Sequence, residues 1–279
     1  MLSGHSSVDV PDPTTVSPAN LSREMTHMSS PMIDRRSLIG SAAASLALPA
    51  AARAAPSGIR AIAFDGFPIF DPRGVVAEAR ALLGPPGETL AAQWSTKLFG
   101  YSWLETAAGR YQDFSTLADA ALRYTAQSMG IALDDATCLQ LVTSYDRLSL
   151  WSDVLPALET LHAAGIRLAF LSNLSAKTLQ ANMLRNGIDR YFDAPLSTDR
   201  VRRFKPSPAA YSMAIDAFGL PQAAIGFAAF GGWDAIGASW FGYRTAWINR
   251  FGLPLETVDA RPAIVTRGIE GVLALACLA

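Results

Sequence analysis

Four polar side chains could act together in nucleophilic chemistry: Asp65, Ser172, Lys205 and Asp234. A carboxylate is already ionised at neutral pH, so it can attack a carbon atom without a base to deprotonate it. A neighbouring lysine lowers the pKa of such a carboxyl group and keeps it charged. Each of the four residues is also a common turn former, helix cap or solvated loop residue. Their recurrence at the ends of four predicted elements nevertheless favours a single site.

The elements that must position these residues alternate between strands and helices. This alternation predicts βαβ units and a parallel sheet, and the nearly continuous apolar strands predict helices on both faces of that sheet. Ligands bind at the carboxyl ends of the strands in such sheets, which is where Asp65, Ser172 and Asp234 fall. The predicted strands are 59–64, 166–171, 224–229 and 245–248. The predicted helices are 153–164, 175–186, 208–218, one that starts near Asp234, and a last one that runs to about 276. Ser152 is expected to cap the first of these helices, and Thr266 the last.

A long helical stretch separates the first strand from the second. Between residues 75 and 145 apolar side chains recur every three or four positions, as in Leu90, Trp94 and Leu98. The stretch is too long for a simple crossover between strands, so we predict an inserted α-helical cap subdomain over 75–149. The core domain of this α/β protein then consists of 55–74 and 150–279.

The first 54 residues are predicted to be a disordered leader and signal peptide. Arg35 and Arg36 precede an Ala-rich apolar run, and Ala52-Arg53-Ala54 provides a small-residue cleavage site. The paired arginines resemble a twin-arginine signal, which predicts export to the periplasm. The apolar run is too short to remain as a membrane span. The alternative is a cytosolic protein with an Ala-rich tail.

The composition excludes several classes of function. The 279 residues carry 23 basic and 24 acidic side chains, a net charge of −1, which argues against a general nucleic-acid partner. Two cysteines are too few for a disulfide scaffold or a Cys-based zinc site. Of the three histidines only His162 lies beyond the leader, so a His-based mechanism is disfavoured. Cys138 fits an apolar helix, and a disulfide with Cys277 stays open.

Four short motifs resemble those of the haloacid dehalogenase (HAD) superfamily, and the resemblance covers residues 58–275. Within that superfamily the helical segments 101–104 and 110–114 look like the cap of the type II L-2-haloacid dehalogenases. The resemblance implies a HAD-like Rossmannoid fold with an inserted helical cap. The motifs are Phe64-Asp65, Leu171-Ser172-Asn173, Phe204-Lys205-Pro206 and Gly232-Trp233-Asp234.

The resemblance implies hydrolytic dehalogenation of a short 2-haloalkanoic acid. Asp65 would attack C2 and expel halide, and water would then cleave the aspartyl ester. Lys205 would keep Asp65 ionised and oriented, and Asp234 would orient either that lysine or the water. Ser172 and the backbone N–H of Asn173 would hold the substrate carboxylate. The other substrate-binding residues implied are Phe67, Phe99, Trp103, Phe114, Tyr211 and Trp233.

The same resemblance predicts neither cofactor nor metal, and it leaves room for a homodimer, since relatives often form one. HAD phosphatases carry a second Asp two residues after the nucleophile, whereas this chain has Phe67 there. Motif four also retains only Asp234 of the acidic pair. Both differences argue against phosphoryl transfer and against a Mg²⁺ site, which needs several oxygen ligands.

Three departures from the dehalogenase pattern set the alternatives. Ser95 follows Trp94 where the family has a halide-binding Arg, and losing such a cation costs on the order of a hundredfold in rate. The loop after Asp65 is one residue short, and the run 229–231 lacks its polar side chains. Candidate replacement cations are Arg73, Lys97 and Arg110. The alternatives are a HAD hydrolase of another substrate, such as a phosphate ester, and a non-catalytic binding protein.

Overall fold

The centre of the protein is a parallel sheet. The computed structural model describes residues 58–278. The strands of this range, numbered along the chain, are β1 (Ala61–Phe64), β2 (Phe70–Asp71), β3 (Ser149–Leu150), β4 (Arg167–Ser172), β5 (Leu196–Ser197), β6 (Ile225–Ala229), β7 (Arg244–Ile248) and β8 (Ile264–Thr266). Six of them form the central sheet in the order β5–β4–β1–β6–β7–β8, and all neighbouring pairs in it are parallel.

The helices confirm most of the predicted pattern. The helices predicted over 175–186 and 208–218 differ from the observed ones by at most one residue at either end, and each ends at a glycine in the left-handed conformation. The α-helices of the described range are α1 (Arg73–Leu83), α2 (Pro85–Ala107), α3 (Phe114–Ser128), α4 (Asp135–Thr143), α5 (Val154–Ala163), α6 (Ala176–Asn186), α7 (Pro208–Phe218), α8 (Gly232–Phe241) and α9 (Glu270–Leu275).

Both faces of the sheet are covered, as predicted. Successive side chains of a strand point to opposite faces, and the fully buried β1 shows this alternation. Ile62 and Phe64 belong to one apolar core, whereas Ala61 and Ala63 belong to a second one. β1 is therefore central in the sheet and between the two layers, and the residue that follows it emerges at the middle of the sheet edge.

Two predicted helix caps are wrong. Asp153, not Ser152, precedes α5, and its side chain accepts hydrogen bonds from Arg250 and from the backbone N–H of Ile269 instead of capping the helix. Thr266 is the last residue of β8, which pairs with β7. A three-residue edge strand leaves too little apolar pattern in the sequence to be recognised, so its existence depends on the neighbouring strand.

Four helices, α1 to α4, form an insertion between β2 and β3. These two short strands pair antiparallel, with Phe70 opposite Leu150 and Asp71 opposite Ser149. The chain therefore leaves the core and returns to it at one place. We call residues 73–147 the helical insertion. The predicted cap boundaries, 75 and 149, lie close to the β2–β3 pair. The division into subdomains stays a prediction.

The predicted leader and signal peptide, 1–54, lie outside the described residues. Within 58–278 no helix has both the length and the apolar character that crossing a bilayer requires. Cys138 is buried, as predicted, and Cys277 is exposed. Both thiols are free, so the disulfide that the sequence left open does not form in this structure.

One buried amide joins α6 to the end of the helical insertion. Asn182 is fully buried, and its Oδ1 accepts a hydrogen bond from the Leu148 N–H at 2.8 Å. Its Nδ2 donates to the carbonyl oxygens of Tyr145 (2.7 Å) and Thr178 (3.0 Å). This side chain therefore satisfies backbone groups of the returning segment that would otherwise be buried without partners.

We expect Asn182→Leu to lower the free energy of unfolding by about 2–4 kcal/mol, because it leaves the buried backbone donor and acceptors that bind Asn182 without hydrogen-bond partners. Urea denaturation followed by circular dichroism measures this change. Gln180→Leu, at an exposed position of the same helix, is the control and should change stability by less than about 0.5 kcal/mol. Equal effects of the two substitutions would contradict the assigned role of Asn182.

Candidate active site

The carboxyl ends of the parallel strands bring the four predicted polar residues together. Asp65 directly follows β1, and its N–H donates to the carbonyl oxygen of Ala228 on β6 at 2.9 Å. Ser172 is the last residue of β4. Lys205 comes from the loop before α7, and Asp234 lies in the first turn of α8. The convergence expected from the sequence is thus present.

A buried lysine lies between two carboxylates. The Nζ of Lys205 is 2.7 Å from Oδ1 of Asp65 and 2.7 Å from Oδ2 of Asp234. The side chains of Lys205 and Asp234 are each 1% exposed, and that of Asp65 is 12% exposed. A buried ammonium group is tolerated only when it is paired, so the two carboxylates explain how Lys205 can be there. The ionised site carries one excess negative charge.

Burial and the neighbouring charges shift the pKa values of Lys205 and Asp234. Burial raises the pKa of Asp234 to about 6, and the charge of Asp65 adds to that effect against the opposing influence of Lys205 and Tyr211. Burial by itself lowers the pKa of Lys205, but the charges of Asp234 and Asp65 and their hydrogen bonds raise it above its ordinary value. Lys205 is therefore a permanent cation, while Asp234 can take up a proton near neutral pH.

Tyr211 lies behind this pair, and its predicted contact with the substrate stays a prediction. The side chain is fully buried, and its hydroxyl donates to Oδ1 of Asp234 at 2.7 Å. Burial and the charge of Asp234 raise the pKa of Tyr211 well above its ordinary value, so the hydroxyl remains a donor. Tyr211 is accordingly a positioning residue for Asp234.

The two oxygens of Asp65 are held differently. Oδ1 receives the ammonium group of Lys205 and the more distant hydroxyl of Ser172, at 3.4 Å. Among the contacts within 58–278, Oδ2 receives only the backbone N–H of Phe67, also at 3.4 Å. Oδ2 is thus the oxygen less engaged by hydrogen bonds and the better placed to form a new bond.

Asn173 is also part of the site, through a contact that the sequence did not predict. Its Oδ1 accepts a hydrogen bond from the backbone N–H of Lys205 at 2.9 Å, which fixes the loop that carries the lysine. Its Nδ2 is buried and has no partner within residues 58–278. The NH2 group of Asn173 therefore has two N–H donors left for a bound molecule, beside the backbone N–H that the resemblance assigns to the substrate carboxylate.

The predicted aromatic residues fall into three places. Phe99, Trp103 and Trp233 contact one another, with ring centroids 5.2–6.4 Å apart. We call these three residues the aromatic cluster. Phe67 packs against Phe230 instead, at 5.7 Å. Phe114 packs against Tyr145 inside the helical insertion and is 4% exposed, so its observed ring contact is with that core and not with the aromatic cluster.

Ser95 lies on the side of α2 that borders the aromatic cluster. Residues four apart on a helix share a face, so Ser95, Phe99 and Trp103 form one row. The three candidate replacement cations have partners of their own. Arg73 pairs with Asp71 at 2.6 Å, Arg110 lies 3.7 Å from Glu105, and the Nζ of Lys97 lies 3.9 Å above the ring of Tyr124.

Gly237 is a residue of the site that the sequence motifs did not single out for a role. A Cβ atom there would lie 2.6 Å from the hydroxyl of Tyr211 and 2.7 Å from the Cβ of Pro206. Only glycine lets α8 approach the loop of Lys205 so closely. The signal in the sequence was a glycine inside a predicted helix, where glycine costs stability unless close packing requires it. Within 58–278 no three His, Cys, Asp or Glu side chains are grouped as metal ligands.

The fold and the site together define a parallel α/β protein in which a carboxyl group at the end of the central strand, that of Asp65, is paired with a buried lysine. The chain belongs to the haloacid dehalogenase-like hydrolase family, whose model matches residues 69–238. The prediction of this family and fold is confirmed.

Individual relatives agree with this assignment. The chain is 35% identical over 218 residues to the (S)-2-haloacid dehalogenase of Pseudomonas sp. strain YL, covering 78% of this chain and 94% of that one. It is 32% identical to haloacetate dehalogenase H-2 of Moraxella sp. strain B, covering 78% and 97%. The L-2-haloacid dehalogenase of Xanthobacter autotrophicus with covalently bound chloropropionic acid is similar with a TM-score of 0.71 and 28% identity, covering 77% and 98%.

Removing the hydroxyl of Tyr211 should raise the pKa of Asp234. That hydrogen bond stabilises the ionised carboxylate, so Tyr211→Phe favours the protonated form and moves the pKa above its present value of about 6, by about half a unit to one unit. Carbon-13 NMR of labelled aspartate carboxyl groups measures the titration. Tyr243→Phe loses a buried hydroxyl that donates to the Tyr211 carbonyl instead, and should leave this pKa in place. A downward shift in Tyr211→Phe would refute the assignment.

Proposed function

We propose that the protein hydrolyses the carbon–halogen bond of a short 2-haloalkanoic acid through an ester on Asp65. The observation that carries this proposal is the buried contact between Lys205 and Asp65, which orients an ionised carboxylate at the centre of the sheet edge. The names of the relatives supply the substrate class. No step requires a histidine, in keeping with the composition.

The side chains of the site account for both halves of the reaction. Oδ2 of Asp65 attacks C2 of the substrate, and the halide leaves with the bonding electrons. Water then adds to the carboxyl carbon of the aspartyl ester, which releases the 2-hydroxy acid, a proton and the free carboxylate. Asp234 is the nearby carboxylate that can accept that proton, since burial raises its pKa to about 6. Lys205 compensates charge throughout.

Other contacts would hold the substrate. The hydroxyl of Ser172 and the backbone N–H of Asn173 are donors for the substrate carboxylate, as the resemblance implies. The aromatic cluster would pack against the apolar part. Ser95 faces this cluster in place of a cation, so we propose a halide pocket that lacks its usual positive charge.

Halide release by the purified protein from L-2-chloropropionate tests the reaction. We expect the wild-type protein to release one chloride ion for each 2-hydroxy acid that it forms. Asp65→Asn should abolish this release, because an amide is not a nucleophile toward carbon. The absence of release, or release that survives in Asp65→Asn, would sink the proposal. Mg²⁺-dependent cleavage of p-nitrophenyl phosphate would instead favour a phosphate-ester hydrolase, and binding of the 2-haloacid without turnover would favour a binding protein.

Restoring a cation at position 95 should accelerate the reaction. We expect Ser95→Arg to raise kcat for halide release by about 10- to 100-fold, since a charge beside the leaving halide stabilises the transition state. The matched control is Thr96→Arg, at the next and exposed position of α2, which should leave kcat within about twofold. The proposal for the halide pocket fails if both variants behave alike.

Export and self-association complete the proposal. We propose that the twin-arginine-like segment directs the protein to the periplasm, and fractionation of cells that express the full chain or its Arg35→Lys/Arg36→Lys variant tests this.

We propose a homodimer through α2 and α3, supported by the exposure of Trp103, Leu104 and Tyr124. Sedimentation of the protein beside Leu104→Glu tests it, and monomers in both samples would exclude it.

A further inference from the structure

The loop after Asp65 is held from outside at two successive carbonyl groups. We call residues 66–70 the nucleophile loop. Inside it, the N–H groups of Ile69 and Phe70 both donate to the carbonyl oxygen of Gly66. The carbonyl oxygen of Phe67 instead accepts a hydrogen bond from the indole Nε1 of Trp151 at 2.9 Å. The next carbonyl, that of Pro68, accepts one from Nη2 of Arg250, also at 2.9 Å.

Phe67 connects these outside contacts to the nucleophile. Its own N–H donates to Oδ2 of Asp65, the oxygen that we assign to the attack, and its carbonyl group is the one bound by Trp151. A rotation of the Phe67 backbone would therefore break both bonds together. Trp151 also donates its backbone N–H to the carbonyl oxygen of Ile69 at 3.2 Å, so a single residue holds the loop at two points.

The two outside residues are themselves immobilised. The indole of Trp151 lies between two guanidinium groups, that of Arg250 at 4.8 Å and that of Arg73 at 4.6 Å. Nη1 of Arg250 is 2.6 Å from Oδ2 of Asp153, and the side chain of Arg250 is 7% exposed. A group whose rotamer is locked in this way can hold another group to within a fraction of an ångström.

We propose that Trp151 and Arg250 are positioning residues that set the angle at which Asp65 attacks. Neither touches the reacting atoms, and both act through the backbone of Phe67 and Pro68. Nucleophilic substitution requires an in-line approach, and small misplacements of the nucleophile lower the rate strongly. Trp151 follows β3 directly, so the same contact also ties the nucleophile loop to the point where the chain returns from the helical insertion. The inference rests on the proposed function only in taking Asp65 as the nucleophile.

Trp151→Phe is the most direct test, because it retains an aromatic ring between the two arginines and removes the indole N–H. We expect kcat for halide release to fall about tenfold while KM changes less than about twofold, since the substrate contacts are untouched. Arg250→Lys should act in the same direction, because one ammonium group cannot contact Asp153, Pro68 and the indole face as a planar guanidinium does. Trp240→Phe loses an indole–carbonyl bond to Asp259 away from the site and should leave kcat within about twofold.

Hydrogen–deuterium exchange supplies a readout that does not depend on turnover. In Trp151→Phe we expect faster exchange confined to a peptide spanning 64–71, whereas a purely structural role would raise exchange across the core. If the wild-type protein releases no halide, the proposed function fails and exchange alone decides this inference. Unchanged exchange in 64–71, or a kcat for Trp151→Phe within twofold of wild type, would overturn it.

Discussion

The rest of the structure depends on one buried positive charge. The ammonium group of Lys205 is out of reach of water, and it is stable there only because Asp65 and Asp234 each approach it to 2.7 Å. Removing one partner of a buried ion pair commonly costs about 3–5 kcal/mol, since it leaves an uncompensated charge. β1, α8 and the loop before α7 must therefore be placed together, and the contacts that stabilise this arrangement also orient the carboxyl group of Asp65.

Around this charge, hydrogen bonds hold Asp234 and the loop of Lys205 in place. Tyr211 binds the far oxygen of Asp234, and Asn173 binds the backbone of Lys205. Within 58–278, Oδ2 of Asp65 receives only one long hydrogen bond, so it is less engaged than Oδ1, which contacts Lys205. The low polarity of the surroundings strengthens each of these interactions compared with water. Ser95, where the resemblance implies a halide-binding Arg, is one of the three departures from the dehalogenase pattern.

The sheet and the end of the helical insertion contact different parts of the site. The carboxyl ends of the strands bring the charged residues together, whereas the point where the insertion rejoins the core lies against the nucleophile loop. Trp151 belongs to that junction and contacts Arg73 at the start of the insertion and Arg250 of the core. Packed side chains and the hydrogen bonds of Trp151 thus connect this junction to the nucleophile loop.

The sequence by itself determined four of the strands, the ends of two helices and the charged groups of the site. Apolar runs identified β1, β4, β6 and β7, glycines marked the ends of α6 and α7, and motif spacing identified Asp65, Lys205 and Asp234, because strand-ending polar residues and helix periodicity are local properties. The tertiary structure decided what local pattern cannot contain. It paired β8 with β7, placed the hydroxyl of Tyr211 against Asp234, and placed Trp151 and Arg250, residues 99 positions apart, on adjacent carbonyl groups. Contacts between distant segments depend on how the layers pack, and a side chain's partner is fixed only once they have done so.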